Sequence, residues 1–293
     1  MPKSLGLVAL LALLWGASFP ILKVAVETIP PITVAASRAL LGGLLLLAVL
    51  GREAPSLWRS GIPLRSYVVQ STFNCILPWI LVAWASTSID AALTTILNSL
   101  SPIFIFLLTW AITRHEAATA RKFVGVMLGI AGVLAIVGPD AMKGFGRNTL
   151  AELACVAGSL AYAIAAIVGR RFDKVSPLVP SAGSVLVAAA VLIPLALIVE
   201  QPWTARPSWA SVLAVVAGAV FSTAGAFIVY FRLLATIGSI ATASQAYLRI
   251  LVGVGLGVIF LGERLTAGHF VGLALVFAGV VAMTLPGRGT VAR

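Results

Sequence analysis

Long apolar runs alternate with short polar breaks along the whole chain, and a ruler of about 20 apolar residues per membrane crossing marks ten of them. They lie near residues 4–22, 32–50, 67–86, 91–112, 123–137, 149–169, 178–199, 209–233, 239–261 and 270–285. Lys3 ahead of an apolar stretch has the outline of a signal peptide, but the run continues through Trp15 to Leu22 and further spans follow, so it reads as a retained first helix. The loops between spans are too short to hold a soluble catalytic domain.

Composition supports the pattern. Apolar residues make up 60% of the 293 and charged residues 10%, against roughly 45–50% and 25% in a soluble domain, and mean hydropathy is +1.09. So little charge leaves most of the exterior facing lipid. The net charge of +11 would suggest nucleic acid in a soluble protein. Here the basic residues sit in short pieces between apolar runs, which fits anionic lipid and insertion topology and excludes a nucleic-acid partner. Thirteen Lys and Arg fall on one side, among them Arg52, Arg59, Arg65, Arg121, Lys122, Arg170 and Arg171. Five fall on the other, namely Lys23, Lys143, Arg147, Arg206 and Arg264, and Arg38 and Arg249 lie inside spans. The richer side is expected to be cytoplasmic, with both termini inside, in a multi-pass protein of the cytoplasmic (inner) membrane. Cys75 and Cys155, both within apolar runs, read as buried small side chains and not as a disulfide framework.

The segment from Phe123 to Val133 returns as Phe270 to Val280 with seven of eleven positions identical, 147 residues on. Glu116 and Glu263 share that offset, as do Lys23 and Arg170. The chain therefore reads as one unit used twice, residues 1–146 and 147–293, each with five spans. An odd number turns the second copy upside down, so the expected fold is all-α and integral to the membrane, ten helices as two inverted five-helix repeats around a central cavity.

Polar side chains at i, i+3 and i+4 mark the helix face turned away from lipid. The fourth span presents Thr94, Asn98 and Ser101, and the ninth Thr242, Gln245 and Arg249. The third carries Gln70 and Asn74, the eighth Thr223 and Tyr230, the sixth Ser159 and Tyr162, and the first Trp15 and Ser18. The fifth and tenth are glycine-rich and nearly without polar groups, with Gly125-x-x-x-Gly129 and Gly268-x-x-x-Gly272, and read as peripheral helices packed by close backbone approach. Pro20, Pro78, Pro102 and Pro194 fall within spans, where each removes a backbone donor and frees a carbonyl. Pro20, Pro78 and Pro102 are candidate hinges.

Arg249 is the most informative single residue. Arginine at mid-bilayer costs about 2.5–3.5 kcal/mol even on the lenient insertion scale, so it should face the cavity. The acidic residues fall in loops or at span ends, with Glu152 placed in the first turn of its helix. An unpaired deep cation suits a substrate carboxylate. Arg38, shallower, reads as structural, pairing with loops or carbonyls. Trp15, Trp79, Trp84, Phe19, Tyr162 and Tyr247 could stack on an apolar substrate body, while Trp58, Trp203 and Trp209 read as interfacial anchors. His115 and His269 read as interfacial. The expected substrate-binding set is Trp15, Ser18, Asn74, Trp79, Asn98, Ser101, Tyr162, Gln245 and Arg249, with no metal and no cofactor.

Trp15-Gly16-Ala17-Ser18-Phe19, Lys23, Arg38 with the Ala-Leu-Leu-Gly-Gly that follows, Leu100-Ser101-Pro102-Ile103-Phe104, and Glu116 and Gly262-Glu263-Arg264 ahead of glycine-rich helices resemble the drug/metabolite transporter superfamily in its EamA-type branch. The resemblance covers nearly the whole chain. It implies ten helices in two inverted units, alternating access, and movement of small metabolites, often amino-acid export. Where the family's second copy often has proline in the ninth span this chain has Arg249, which favours a carboxylate-bearing substrate. Small four-helix relatives couple to protons through a glutamate deep in the first helix, and the first span here has none. The expectation is a secondary transporter, not an enzyme, that exports small amphipathic metabolites, amino acids first. The alternatives are efflux of hydrophobic drugs or other metabolites, or a facilitative channel-like carrier. Its partners are a small-molecule substrate and membrane lipid, with oligomeric state open and a monomer plausible.

Overall fold

The computed structural model describes residues 2–59, 61–108, 110–111, 120–142, 147–172, 175–176, 178–230, 232–233, 236 and 245–284. Every regular element among them is helical: α1 (Pro2–Gly16), α2 (Ser18–Ala25), α3 (Pro31–Leu50), α4 (Ser56–Arg59), α5 (Leu64–Ser71), α6 (Leu77–Ser86), α7 (Ala91–Asn98), α8 (Ser101–Leu108), α9 (Ala120–Met142), α10 (Arg147–Val168), α11 (Leu178–Val199), α12 (Trp209–Ala217), α13 (Gln245–Leu261) and α14 (Ala267–Thr284), with short 3-10 turns between some of them. Among the described residues, seven helical spans are long and apolar enough to cross a membrane, and three shorter apolar helices lie at Phe123–Gly132, Leu248–Leu261 and Ala267–Gly279. These three fall where the fifth, ninth and tenth crossings are expected. The first residues of the expected ninth, 239–244, with Thr242 among them, lie outside the described residues, as do His115 and Glu116.

Four of the spans are interrupted, three of them beside a proline. The first breaks at Ala17, between α1 and α2. The fourth breaks between Asn98 and Ser101, separating α7 from α8. The third widens into a π-type turn over Thr72–Ile76, where the Leu77 N–H reaches back five residues to the Thr72 carbonyl. The eighth widens the same way over Gly218–Gly225. Pro20, Pro78 and Pro102 each stand in the first turn of the helical piece that follows a break. There the missing N–H is tolerated, because first-turn donors have no partner within their own helix segment. Pro194 differs, lying inside the unbroken α11.

Packing joins the two halves of the chain throughout. α3 lies against α11, α9 against α14, α10 against α6, and α1 against α13. Leu46, Val185 and Leu192 are fully buried in the cluster around α3 and α11. α9 and α14 meet glycine to backbone: a Cβ on Gly279 would stand 2.6 Å from the Gly125 carbonyl oxygen, and one on Gly132 2.9 Å from that of Gly272. Small residues permit this approach, which supplies van der Waals contact where lipid offers no hydrophobic drive. On their other sides Phe123, Val124, Phe270 and Val271 are exposed, as a lipid-facing surface requires.

Gly279→Ala should therefore push the two backbones apart and lower stability by about 1–3 kcal/mol, as overpacking does. Gly6→Ala, with open space around its Cβ position, should change little. Thermal unfolding of the detergent-purified variants measures both.

Candidate functional site

The breaks concentrate polar groups in the bundle interior, and most of them are satisfied locally. The Ser18 hydroxyl donates to the Trp15 carbonyl at 2.6 Å, and the Ser101 hydroxyl to the Asn98 carbonyl at 3.0 Å. Ser159 on α10 donates to the Leu97 carbonyl at 2.9 Å, so the break in the fourth span is bridged from a neighbouring helix. In the eighth span Ser222 donates to the Leu14 carbonyl at 2.9 Å and Thr223 to that of Gly218 at 3.1 Å.

The Thr223 hydroxyl also accepts from Nε of Arg38 at 2.7 Å. The Arg38 guanidinium lies 4.6 Å over the Trp79 ring, a cation–π arrangement. This corrects the reading of Arg38: its partners are a buried hydroxyl and an aromatic face in the interior, not loops or carbonyls. Ser18 and Arg38 line the same narrow cavity, with Ile21, Val34, Ala214 and Gly218. Tyr162 on α10 sits within hydrogen-bonding reach of Trp79 and within electrostatic reach of both Arg38 and Arg249. Arg249 lies 5.9 Å from the centre of the Phe19 ring.

Three polar atoms here are buried without a partner: Nδ2 of Asn98, Oε1 of Gln245 and Nε of Arg249. Gln245 and Arg249 are one turn apart on α13. Asn98 ends α7, which α13 crosses closely. A Cβ on Gly257 would meet the Ala92 N–H, and one on Gly253 would meet Thr95, so the two helices run antiparallel. Continuing three residues to Asn98 and four back to Arg249, about 4.5 Å and 6 Å at 1.5 Å per residue, brings both to a similar depth. A buried donor or acceptor left unpaired costs about 1–3 kcal/mol, more when charged, which makes these three groups candidate ligand contacts.

The other expected residues divide. Trp79, Tyr162, Asn98, Gln245 and Arg249 stand at this interior region. Trp15 packs instead on Phe227 and Tyr230, ring centres 6.3 and 5.2 Å apart. Asn74 lies in the π-type turn with its amide nitrogen 3.9 Å from the Cys75 sulfur. Trp84 is exposed, as are Trp203 and Trp209, which suits the last two as interfacial anchors. For Pro102 only the backbone, and for Tyr247 and Trp58 only the helix position, is described. Cys75 and Cys155 are free and buried. His269 and Thr266 hydrogen-bond reciprocally at the start of α14, each backbone N–H to the other's side chain, a capping role. Glu152 is not in the first turn: α10 begins at Arg147, so Glu152 is its sixth residue and is buried. It nevertheless lies ten residues, about 15 Å, along the helix from Tyr162.

One structural feature near the site is absent from the sequence reading. At one end of the bundle, carboxylates from the second half of the chain cap helices of the first. Glu263 accepts from the Ala91 and Ala92 N–H groups at 2.6 and 2.9 Å. Glu200 accepts from those of Ile32 and Thr33 at 2.8 and 2.7 Å. Asp90, a favoured N-cap residue type in the N-cap position of α7, makes no side-chain cap bond. Glu263 takes that role from outside because Gly262, at φ 66°, turns the chain sharply after α13, as glycine does at helix ends. A Cβ on Gly257 would collide with the Glu263 carboxylate. Lys23 closes the same end, donating to the Ser86 and Ile89 carbonyls at 3.0 and 2.8 Å. The shared offset of Glu116 and Glu263 was the available signal, but spacing alone does not disclose a cap made by a distant helix.

A bundle of apolar helices with interrupted spans and unpaired polar groups in its interior has the build of a membrane transporter. The chain belongs to the EamA-like transporter family, which matches it twice, over residues 3–138 and 149–285. It is 26% identical to the inner membrane transporter YedA of Escherichia coli K12 over 96% of this chain and 90% of that protein. It is 28% identical to the transporter YvbV of Bacillus subtilis over 94% and 89%, and 23% identical to YoaV of the same organism over 94% of each. A solved crystal structure with 21% identity superposes at a TM-score of 0.69 over 97% of both chains, a likeness of fold.

Removing either capping carboxylate leaves two N–H groups without their partner. Glu263→Ala and Glu200→Ala should each lower stability by about 1 kcal/mol, while Glu27→Ala, at an exposed position, should not. Thermal unfolding of the three variants side by side measures this.

Proposed function

We propose that this membrane transporter exports small amphipathic metabolites carrying a carboxylate, the class to which amino acids belong, by alternating access between two inverted five-helix units, residues 1–146 and 147–293. The observation that carries the reading is Arg249, half-buried, whose Nε is buried and has no partner. Asn98 adds a free donor at similar depth, and Trp79, Tyr162 and Phe19 offer apolar faces for the substrate body.

The two-unit architecture draws support from several features. The family matches the chain twice, in segments whose starts are 146 residues apart. The π-type turns begin at Thr72 and Gly218, also 146 apart. Numbered by expected crossing, the third packs on the sixth, and the first makes its aromatic and hydrogen-bond contacts with the eighth. The second lies on the seventh and the fifth on the tenth. Adding five to every number leaves that scheme unchanged. On the charge count the end closed by Lys23, Glu200 and Glu263 is the external one. The protein is then latched outside, in the inner membrane, with both termini cytoplasmic, and Pro20, Pro78 and Pro102 mark the breaks about which helices bend.

A second reading, efflux of hydrophobic drugs, is favoured by the Trp15, Phe227 and Tyr230 cluster. Counterflow of radiolabelled carboxylates, amino acids included, into proteoliposomes separates the two. Arg249→Ala should reduce carboxylate uptake by at least about tenfold, the effect of losing a buried charged partner. Failure of every carboxylate, with export of neutral drugs unaffected by Arg249→Ala, would establish the second reading instead.

A further inference from the structure

Two guanidinium groups, not one, serve the interior, and they come from opposite halves of the chain. Arg38 on α3 lines the cavity beside Ser18, and Arg249 on α13 lies 5.9 Å from the ring of the next residue, Phe19; Tyr162 lies within electrostatic reach of both. Neither has a carboxylate within electrostatic reach among the described residues. Arg38 has a hydroxyl and a ring as its partners; both leave its charge uncompensated. Glu152, the buried carboxylate among the described residues, is too far along α10 to help. The acidic groups at the capped end, Glu200 and Glu263, are already committed to backbone N–H groups.

Resting on the carboxylate reading above, we propose that the site selects small organic anions lacking an ammonium group over zwitterionic amino acids, and that Arg38 is the residue that sets this preference. The anionic head of the substrate neutralises Arg249 directly and is stabilised by the second charge behind Trp79 and Tyr162. An α-ammonium a few ångströms from that head enters the field of two cations. Among the described residues the buried unpaired acceptor there is the neutral Gln245 Oε1, and a neutral dipole does not offset two full charges at low dielectric. A desamino acid with the same apolar body meets the same aromatic faces without that penalty. Arg38 thus works through the field at the site without having to touch the substrate, which makes it a specificity residue whose removal relaxes selectivity more than it abolishes binding.

The test uses matched pairs on the full-length protein purified in detergent: phenylalanine with 3-phenylpropanoate, and leucine with 4-methylpentanoate, each titrated calorimetrically at pH 7. The expected result is that each desamino acid binds about tenfold tighter or more than its amino acid. In Arg38→Gln, which keeps a donor for Thr223, that ratio should collapse to within about threefold through weaker anion binding, with amino-acid affinity unchanged or improved. Arg38→Lys, retaining the charge, should preserve the preference. Amino acids binding as tightly as their desamino partners in the wild type would overturn the proposal while leaving carboxylate transport intact. An unchanged ratio in a folded Arg38→Gln protein would likewise overturn the role of Arg38. Should Arg38→Gln fail to fold, the wild-type pairs and Arg38→Lys still decide. Binding of neither member of any pair would overturn this proposal together with the carboxylate reading.

Discussion

A lipid bilayer supplies no water to a polar group inside a helix bundle, and this constraint organises the interior of the molecule. Each interruption of a span releases backbone carbonyls, and each released group must find a partner within the protein. Serine and threonine hydroxyls meet much of the demand: Ser18, Ser101 and Ser222 bond carbonyls at or beside the breaks, and Ser159 reaches across from α10 to the Leu97 carbonyl. Because so many of these groups are paired, the few that are not become informative. Asn98, Gln245 and Arg249 retain buried unpaired atoms, and they lie on the two closely crossing helices α7 and α13. Gln70 and Ser184 also keep a buried atom without a partner, but the three on α7 and α13 lie at similar depth and include a cation, which makes that crossing the candidate ligand site.

The same economy shapes the ends of the helices. An N-terminus inside a bundle exposes several N–H donors and the positive end of a helix dipole. Here two of them are answered by carboxylates that belong to the other half of the chain, Glu200 on α3 and Glu263 on α7. A cap of this kind is also a clasp between halves, unlike the local cap that Asp90 would have made. On the alternating-access reading proposed above, it would open as the halves rock, since carboxylate and helix terminus are then both free to take water.

Much of this was legible in the sequence because membrane burial leaves strong periodic signals. The positions of the seven long spans, the close backbone packing of the glycine-rich α9 and α14 and the burial of the Arg249 Nε all follow from single-chain rules of length, side-chain size and charge. The breaks were legible only in part. Prolines 20, 78 and 102 marked them, yet the π-type turn at Gly218–Gly225 contains no proline. What escaped depends on distant pairing. Arg38 looked shallow because its depth was judged along one helix, whereas its neighbours Thr223 and Trp79 come from two others. Trp15 sits at the right depth but faces Phe227 and Tyr230. Glu152 was placed about half a turn too shallow because α10 starts earlier than the hydropathy suggests, and the caps made by Glu200 and Glu263 require knowing which helix ends meet.

The central claim is that Arg249 is the counter-ion of the transported molecule. An experimental structure of the protein with a transported carboxylate bound tests it most directly. The expected result is a carboxylate oxygen about 2.7–2.9 Å from the Arg249 guanidinium, the length of a charge-assisted hydrogen bond, with the apolar body of the ligand among Phe19, Trp79 and Tyr162. A ligand whose carboxylate is held elsewhere, with the Arg249 guanidinium still unpaired or bonded only to helix carbonyls, would contradict it.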